Sequence, residues 1–436
     1  MIVVAASLGF VLSCVAPEIP SQDAEPLTVI LGAKLIDGTE AEPIEDSIVV
    51  IAGSRVRHAG DRSTIRVPQN AEIVDGSGKT LMPGLVDLHV HYVGDAGEVR
   101  RQFKAQLAFG VTTARSVGVD VEENLMAIEE VRLGRASGPR RFTAGVGFAG
   151  PDAPTIVHRP SSPQEARQQV RELAGQEVDF LKLWVDSISG SRRKLSRETR
   201  EAIVDEAFKY CLAPVAHIAE LDDIEHLLSL GVTDFLHTVR DVEPIPARVV
   251  ELLKSRRVSF AATLNVIEGF WLFPENPRLI EEDSEALAAL SPEIVANLRR
   301  PEWRTERLEA VPLDILRQDF ERAKRFVNQM YQAGVILTLG SDSGANLVPT
   351  GWGSHREMQL LVESGVPPLE VIRIATARSA AWLGSKQEGF GTLEPGKAAD
   401  LILLDADPTE NIGNTRRISR VMQAGKWIDR SSLRTH

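Results

Sequence analysis

Between about residues 83 and 384, short apolar runs alternate with longer amphipathic stretches. Runs at 85–90, 111–116, 142–146, 180–185, 214–218, 234–238, 258–264 and 335–340 read as strands. The stretches between them, such as EVRRQFKAQLAFG, SPQEARQQVRELAGQ, RETREAIVDEAFKYC and DDIEHLLSL, space their apolar residues as helices do. Eight strand–helix units in a segment of roughly barrel size predict an α/β fold, a closed (β/α)8 TIM barrel. An open doubly wound sheet is the alternative, but no Gly-x-Gly-x-x-Gly follows the first strand.

Both ends carry a different pattern. LTVILGAKLIDG and SIVVIAGSRVRHAG alternate or run apolar between Asp-Gly and Ala-Gly turn signals, and GTLEPGKAADLILLDADP and RVMQAGKWID behave alike. These predict a small β-sandwich domain built from 25–83 plus 389–436. The barrel occupies 84–388, with an insertion at 265–320. Residues 1–24 read as a leader and linker, MIVVAASLGFVLSCVAP followed by a Pro- and acid-rich stretch. The apolar run is shorter than the roughly 20 residues a membrane span needs. It fits the core of a signal peptide. Val11-Leu12-Ser13-Cys14 resembles a bacterial lipobox, which would make Cys14 a lipid-modified membrane tether. The expected location is exported, periplasmic or lipid-anchored in a bacterium; an apolar N-terminal strand is the other reading.

Lys plus Arg is 49 and Asp plus Glu is 61, a net charge of −12. An acidic chain lacks the basic face that nucleic acid requires, so a small-molecule substrate is the expected partner. The sequence leaves a homo-oligomer open. Cys14 and Cys211 are the two cysteines, which excludes a disulfide framework and a Cys-built zinc finger. Cys211 is expected to be a buried free thiol. Any metal must be held by the nine histidines, by carboxylates or by something unusual.

In a barrel, function sits at the C-terminal ends of the strands. The first expected strand ends in His89-Val90-His91, whose histidines, two apart, face one side. The fourth carries Lys182 inside an apolar run, where an unpaired charge is costly. The fifth carries His217, the sixth His237, and Asp342 follows the eighth. Taken singly, each has a plain alternative: a satisfied core histidine, a lysine in a salt bridge, an aspartate capping a turn. Five strands delivering such groups at one depth point to a metal centre.

LMPGLVDLHVH, FLKLWV, VAHIAE, FLHTV and LGSDSG, in this order and spacing, resemble the amidohydrolase superfamily. GVTTARSVG, IATARSAAWLG and the GTLEPGKAADLILLDADP closing segment extend the resemblance over nearly the whole chain after residue 25. It is most similar to the imidazolonepropionase-like branch, which includes Xaa-Pro dipeptidases and related metal-dependent carboxypeptidases. The resemblance implies two divalent ions, zinc first among them. His89, His91 and Asp342 would hold the more buried one, His217 and His237 the other. Lys182 would bridge them as an Nζ-carboxylated lysine, because an ammonium cannot ligate a cation whereas a carbamate offers an oxygen to each ion. The implied activity is hydrolysis of a peptide or N-acyl amino acid amide by a metal-bridging hydroxide, with Asp342 as base and then acid.

On the substrate side, Arg240 would meet a substrate carboxylate, its alternative being a surface pair with Asp241. Arg115, expected inside the barrel mouth, and His158, in the loop after the third strand, are further candidates. His355 looks like a family position but is read as packing. The insertion's Trp271, Phe273 and Trp303 are read as a pocket wall, the alternative being that they simply pack the insertion. Three other functions compete. A mononuclear cyclic-amidine deaminase would use Glu220, three residues after His217, but needs no Lys182. A lactonase or organophosphate hydrolase would use the same centre, and a non-catalytic relative would lose ligands.

Overall fold

The computed structural model describes residues 26–187, 192–384 and 389–431. The leader with Cys14 therefore lies outside the described residues. Eight parallel strands form the barrel: Leu85–Val90, Val111–Ser116, Arg140–Thr143, Leu181–Val185, Pro214–Ile218, Asp234–Leu236, Ser259–Ala261 and Ile336–Thr338. The first three pair in one arc and the last five in another. Two seams join the arcs. At one, the Phe148 N–H donates to the Lys182 carbonyl at 2.9 Å, and the Phe148 carbonyl accepts from the Trp184 N–H at 2.8 Å. At the other, the Leu88 N–H donates to the Leu339 carbonyl at 2.8 Å, and Val90 bridges Ser343. Closure removes the unpaired edges an open sheet would leave.

Helices cover the outside of the ring and side chains fill the inside, so barrel strands are apolar on both faces. Leu85–Val90 and Val111–Ser116 are accordingly buried at every position. The third strand begins earlier than the apolar run suggested. Its Arg140 is neutralised by Asp400 at 2.8 Å, and the guanidinium of Arg141 lies 3.4 Å from the Phe103 ring centre. Charged residues with such partners sit in a strand that an apolar pattern alone misses. The seventh is shorter than expected because Thr263 turns left-handed, at φ 52°, and the helix Leu264–Glu268 follows.

The ends of the chain build two further sheets. Leu27–Leu31, Ser47–Ala52, Arg55–Asp61 and Glu72–Asp75 form one. Lys34–Leu35, Thr80–Pro83, Leu401–Leu404, Ile418–Gln423 and Lys426–Trp427 form the other. Ile30, Val49, Ile51, Leu81, Leu401, Leu403 and Met422 pack together between them. Thr80–Pro83 runs antiparallel to Leu401–Leu404. Only Gly84 separates it from the first barrel strand, and a Cβ there would meet the Thr112 side chain at 2.2 Å.

The insertion is a set of short helices leading into the long helix Leu313–Ala333. Its aromatic residues do not form the expected pocket wall. Phe273 and Trp303 pack with Ala105, Phe109, Leu298 and Trp352 in a separate small core, and Trp271 meets Phe320 edge-on at 5.5 Å. An insertion of this size needs apolar residues to seat itself on the barrel helices. Cys211 is exposed, contrary to expectation, in a left-handed turn at φ 58° that follows the helix Arg197–Lys209. Among the described residues, no helix is long and apolar enough to cross a membrane.

Candidate metal centre

The strand ends bring the six expected residues together. The Nε2 atoms of His89 and His91 lie 3.3 Å apart. Asp342 Oδ1 is 3.3 Å from the first and 3.1 Å from the second. Asp342 Oδ2 is 4.0 Å from His237 Nε2, and the His217 and His237 rings are 3.9 Å apart. His89, His237 and Asp342 form a buried group able to hold a metal ion, with ligand atoms within 4.8 Å of one another. Lys182 is fully buried, and its Nζ has no hydrogen-bond partner. His237 Nε2 is likewise unpartnered. Buried polar atoms left bare around one small volume fit a cation between them.

Electrostatics supports the same reading. Burial, assisted by the charge of Lys182, holds the His89 imidazole well below its usual range. His237 is depressed in the same way, by burial and then by His217 and Lys182. His217 is lowered by burial, although Asp186 pulls it upward. Neutral imidazoles keep the lone pairs that metal ligation needs. Burial also pushes the Lys182 amine down to about 7, against the pull of Asp342.

The backbone is bent to make this arrangement. His237 (φ 71°), Thr263 (φ 52°) and Asp342 (φ 52°) are left-handed without being glycine. Such residues cost about 1–3 kcal/mol each and persist where their surroundings fix them. The N–H of Asp342 donates to the His89 carbonyl at 2.7 Å, and that of His237 to the Ala261 carbonyl at 2.8 Å. Leu236 already packs inside the barrel, so the twist at His237 lets two consecutive side chains face inward.

Three supporting residues escaped the sequence reading. Thr263 Oγ1 lies 2.6 Å from His237 Nδ1 and 2.8 Å from the Ala262 carbonyl. Its hydroxyl donates to the carbonyl and accepts from Nδ1–H, which leaves Nε2 bare towards Asp342. Asp186 lies 3.1 Å from His217 Nε2, so Nδ1 is the nitrogen of His217 left for a metal. Asp87 accepts the N–H of His89 and the hydroxyl of Ser354. A register shift between Asp87 and Val90 breaks the alternation of the first strand. Asp87 therefore reaches the helix Trp352–Glu363 while His89 faces the centre. Strict period-two reading places the two on one face, and only the bulge separates them.

The substrate-side candidates divide. Arg240 Nη2 is 3.9 Å from Asp186 Oδ2, and it faces the centre rather than Asp241, whose carboxylate accepts the Leu221 N–H. Arg115 is a correction. It donates to Asp234 at 2.5 Å and to the Leu88 carbonyl at 2.8 Å, so it is a buried brace below the centre. Asp234 opens its strand, and the partner therefore lies at the end away from the mouth. His158 packs on Phe148, with ring centres 4.9 Å apart, at the seam after the third strand. His355 is a packing residue, fully buried and bonded to the Phe109 carbonyl and Thr415. Glu220 is engaged by Lys194 at 2.7 Å and Ser187 at 3.2 Å.

Comparisons with known proteins agree with this geometry. The chain is 25% identical to ochratoxinase of Aspergillus niger over 94% of this chain and 88% of that protein. It is 20% identical to imidazolonepropionase of Alkaliphilus metalliredigens, over 90% and 92%. Its fold superposes on a Xaa-Pro dipeptidase crystallised with methionine in its active site, at a TM-score of 0.72 and 20% identity, covering 92% and 99%. Residues 80–428 match the model of the amidohydrolase family. With its barrel, its buried His–His–Asp group and that match, the chain belongs to the amidohydrolase family and is a metal-dependent hydrolase of carbon–nitrogen bonds.

Proposed function

We propose that the protein is a binuclear hydrolase of peptide or N-acyl amino acid amides, with zinc as the metal to test first. The observation that carries this reading is the buried Lys182 amine, which makes no hydrogen bond, beside Asp342 and the histidine cluster. Four imidazoles and one carboxylate give a single negative charge for two divalent ions, and a carbamate on Lys182 would supply a second. His89, His91 and Asp342 would hold one ion, His217 and His237 the other, and Lys182 would join them. When bound, the two ions would supply a hydroxide nucleophile and polarise the scissile carbonyl. Asp342 would take the proton of the attacking water and deliver it to the leaving nitrogen. Arg240 would pair with the carboxylate of the departing amino acid. The likeness to a Xaa-Pro dipeptidase supports a peptide-type substrate. The deaminase alternative is weaker, because Glu220 is held by Lys194 and Ser187.

The test is a library of dipeptides and N-acyl amino acids offered to zinc-loaded protein, with metal counted per chain. Two metals and cleavage within the library are expected. A full library without cleavage overturns the substrate class. One metal per chain, with ammonia released from a cyclic amidine, overturns the binuclear hydrolase.

A further inference from the structure

We infer that Glu357 is a positioning residue for the metal centre: it caps the turn after the seventh barrel strand from a neighbouring helix, and so leaves the Thr263 hydroxyl to orient His237. The inference rests on the reading of His237 as a metal ligand and adds a residue to that same centre. The turn begins at Thr263, the residue before the helix Leu264–Glu268. A threonine at such a place ordinarily turns its hydroxyl onto the first amides of its own helix. Thr263 makes no such bond. Its hydroxyl is engaged by the Ala262 carbonyl and His237 Nδ1 instead. The amides of Leu264 and Asn265 therefore need another acceptor, in a helix whose five residues are all buried.

Glu357, on the helix Trp352–Glu363, supplies it. Its Oε1 accepts the Leu264 N–H and its Oε2 the Asn265 N–H, both at 2.9 Å. Asn265 Nδ2 adds a bond to the Gly353 carbonyl at 2.7 Å on the same helix. A Cβ on Gly353 would come 3.2 Å from that Nδ2 and 2.4 Å from Val348 Cγ1, so only glycine lets the helix approach this closely. Glu357 is 1% exposed, and water cannot replace its two bonds. Without Glu357, the two bare amides would compete for Thr263 Oγ1, the acceptor at the head of their own helix. A hydroxyl drawn to them no longer holds His237 Nδ1–H. The same helix also carries Ser354, which reaches His89 through Asp87. One helix thus makes two contacts that serve two different histidines, and the second contact is a control for the first.

The experiment is a double-mutant cycle read as zinc affinity, by competition with a chelator. Glu357→Leu fills the space and removes both acceptors, and should weaken zinc binding by about 10-fold or more. Glu357→Gln, which keeps one acceptor oxygen, should recover part of the loss. On top of Thr263→Val, Glu357→Leu should cost no more than about twofold, because both act on one hydrogen bond. Ser354→Ala on top of Thr263→Val should instead give the product of the two single effects. Unchanged affinity in Glu357→Leu or in Thr263→Val overturns the inference, and so does a double variant at the product of its singles. Equal coupling in the Ser354→Ala pair overturns it too, since the helix would then act as one brace. Should Glu357→Leu not fold, Glu357→Gln takes its place in the cycle. His237→Ala tests the underlying reading separately: zinc binding equal to wild type would remove His237 from the ligand set, and the inference with it.

Discussion

The carboxylate of Asp87 accepts the backbone N–H of Ser341, 254 positions further along the chain, at 3.0 Å. The same oxygen accepts the His89 N–H at 3.1 Å, and the other accepts the Ser354 hydroxyl at 2.7 Å. One buried side chain thus ties the strand of His89 and His91 to the turn of Asp342. Asp87→Ala would strip the acceptor from three buried donors, each worth about 1–3 kcal/mol when left bare. The expected result is a loss of about 3 kcal/mol in urea unfolding, together with weaker metal retention after dialysis. A destabilised variant that keeps its full metal content would limit Asp87 to bracing the fold.

Lys182→Ala should remove most activity and lower the metal content. Adding a short carboxylic acid should restore part of both, since a free carboxylate can occupy the space of a carbamate. Metal analysis and turnover with and without the acid provide the check. Activity untouched by the substitution would rule out the bridging role.

Thr263→Val keeps the shape of the side chain but removes the acceptor for His237 Nδ1–H. Losing such an outer partner typically costs about 10- to 100-fold in metal affinity or activity. Competition with a chelator would measure it. An affinity equal to wild type would mean that the left-handed backbone at His237 orients the ring unaided.

Arg240→Ala should raise KM for substrates with a free carboxylate by roughly 10- to 100-fold, in line with a charge-assisted pair. Substrates capped as the C-terminal amide should be much less affected. An equal loss on both would place Arg240 with Asp186 and His217, outside substrate recognition.

His355 makes stability depend on pH. Its Nε2 lies 2.8 Å from the Phe109 carbonyl, which can only accept, so the proton is on Nε2; Nδ1 lies 2.9 Å from Thr415 Oγ1, whose own hydrogen goes to the Ile412 carbonyl. Burial pushes this imidazole down from 6.5 to about 3; the Phe109 carbonyl opposes this, and Arg416 and Arg430 add to it. Below pH 6.5 the unfolded chain takes up a proton that the folded chain refuses. Stability therefore falls as pH drops from 6.5 towards 3, by about 1.4 kcal/mol per unit from this group. Between pH 6.5 and 5, wild type should lose about 2 kcal/mol more than His355→Gln. Parallel urea midpoints for the two proteins would sink the assignment.

The barrel was legible because strand runs buried on both faces stand out against amphipathic helices. The first, second and fifth strands fall where the apolar runs end. The ligand set was legible because histidine, lysine and aspartate at strand ends are chemically conspicuous. What supports that set was not. Asp87 is hidden by a bulge, Thr263 by a left-handed turn, and Asp186 looks like any loop acid. Arg115 was misplaced because its partner, Asp234, lies on a strand four further round the ring. The aromatic residues of the insertion drew attention by number, whereas Trp184, which stacks beside His91, sat inside the lysine motif itself.

The pairing of Thr80–Pro83 with Leu401–Leu404 also sets an order of events during synthesis. His89 and His91 leave the ribosome early, on a segment whose sheet partner is among the last to be made. Until that partner emerges, the strand leading to them is held from one side only. A metal taken up at that centre is then expected to bind late, to finished chains. A chain cut short before Leu401 would contain every expected ligand residue and still lack the strand that pairs with the one leading to the first two.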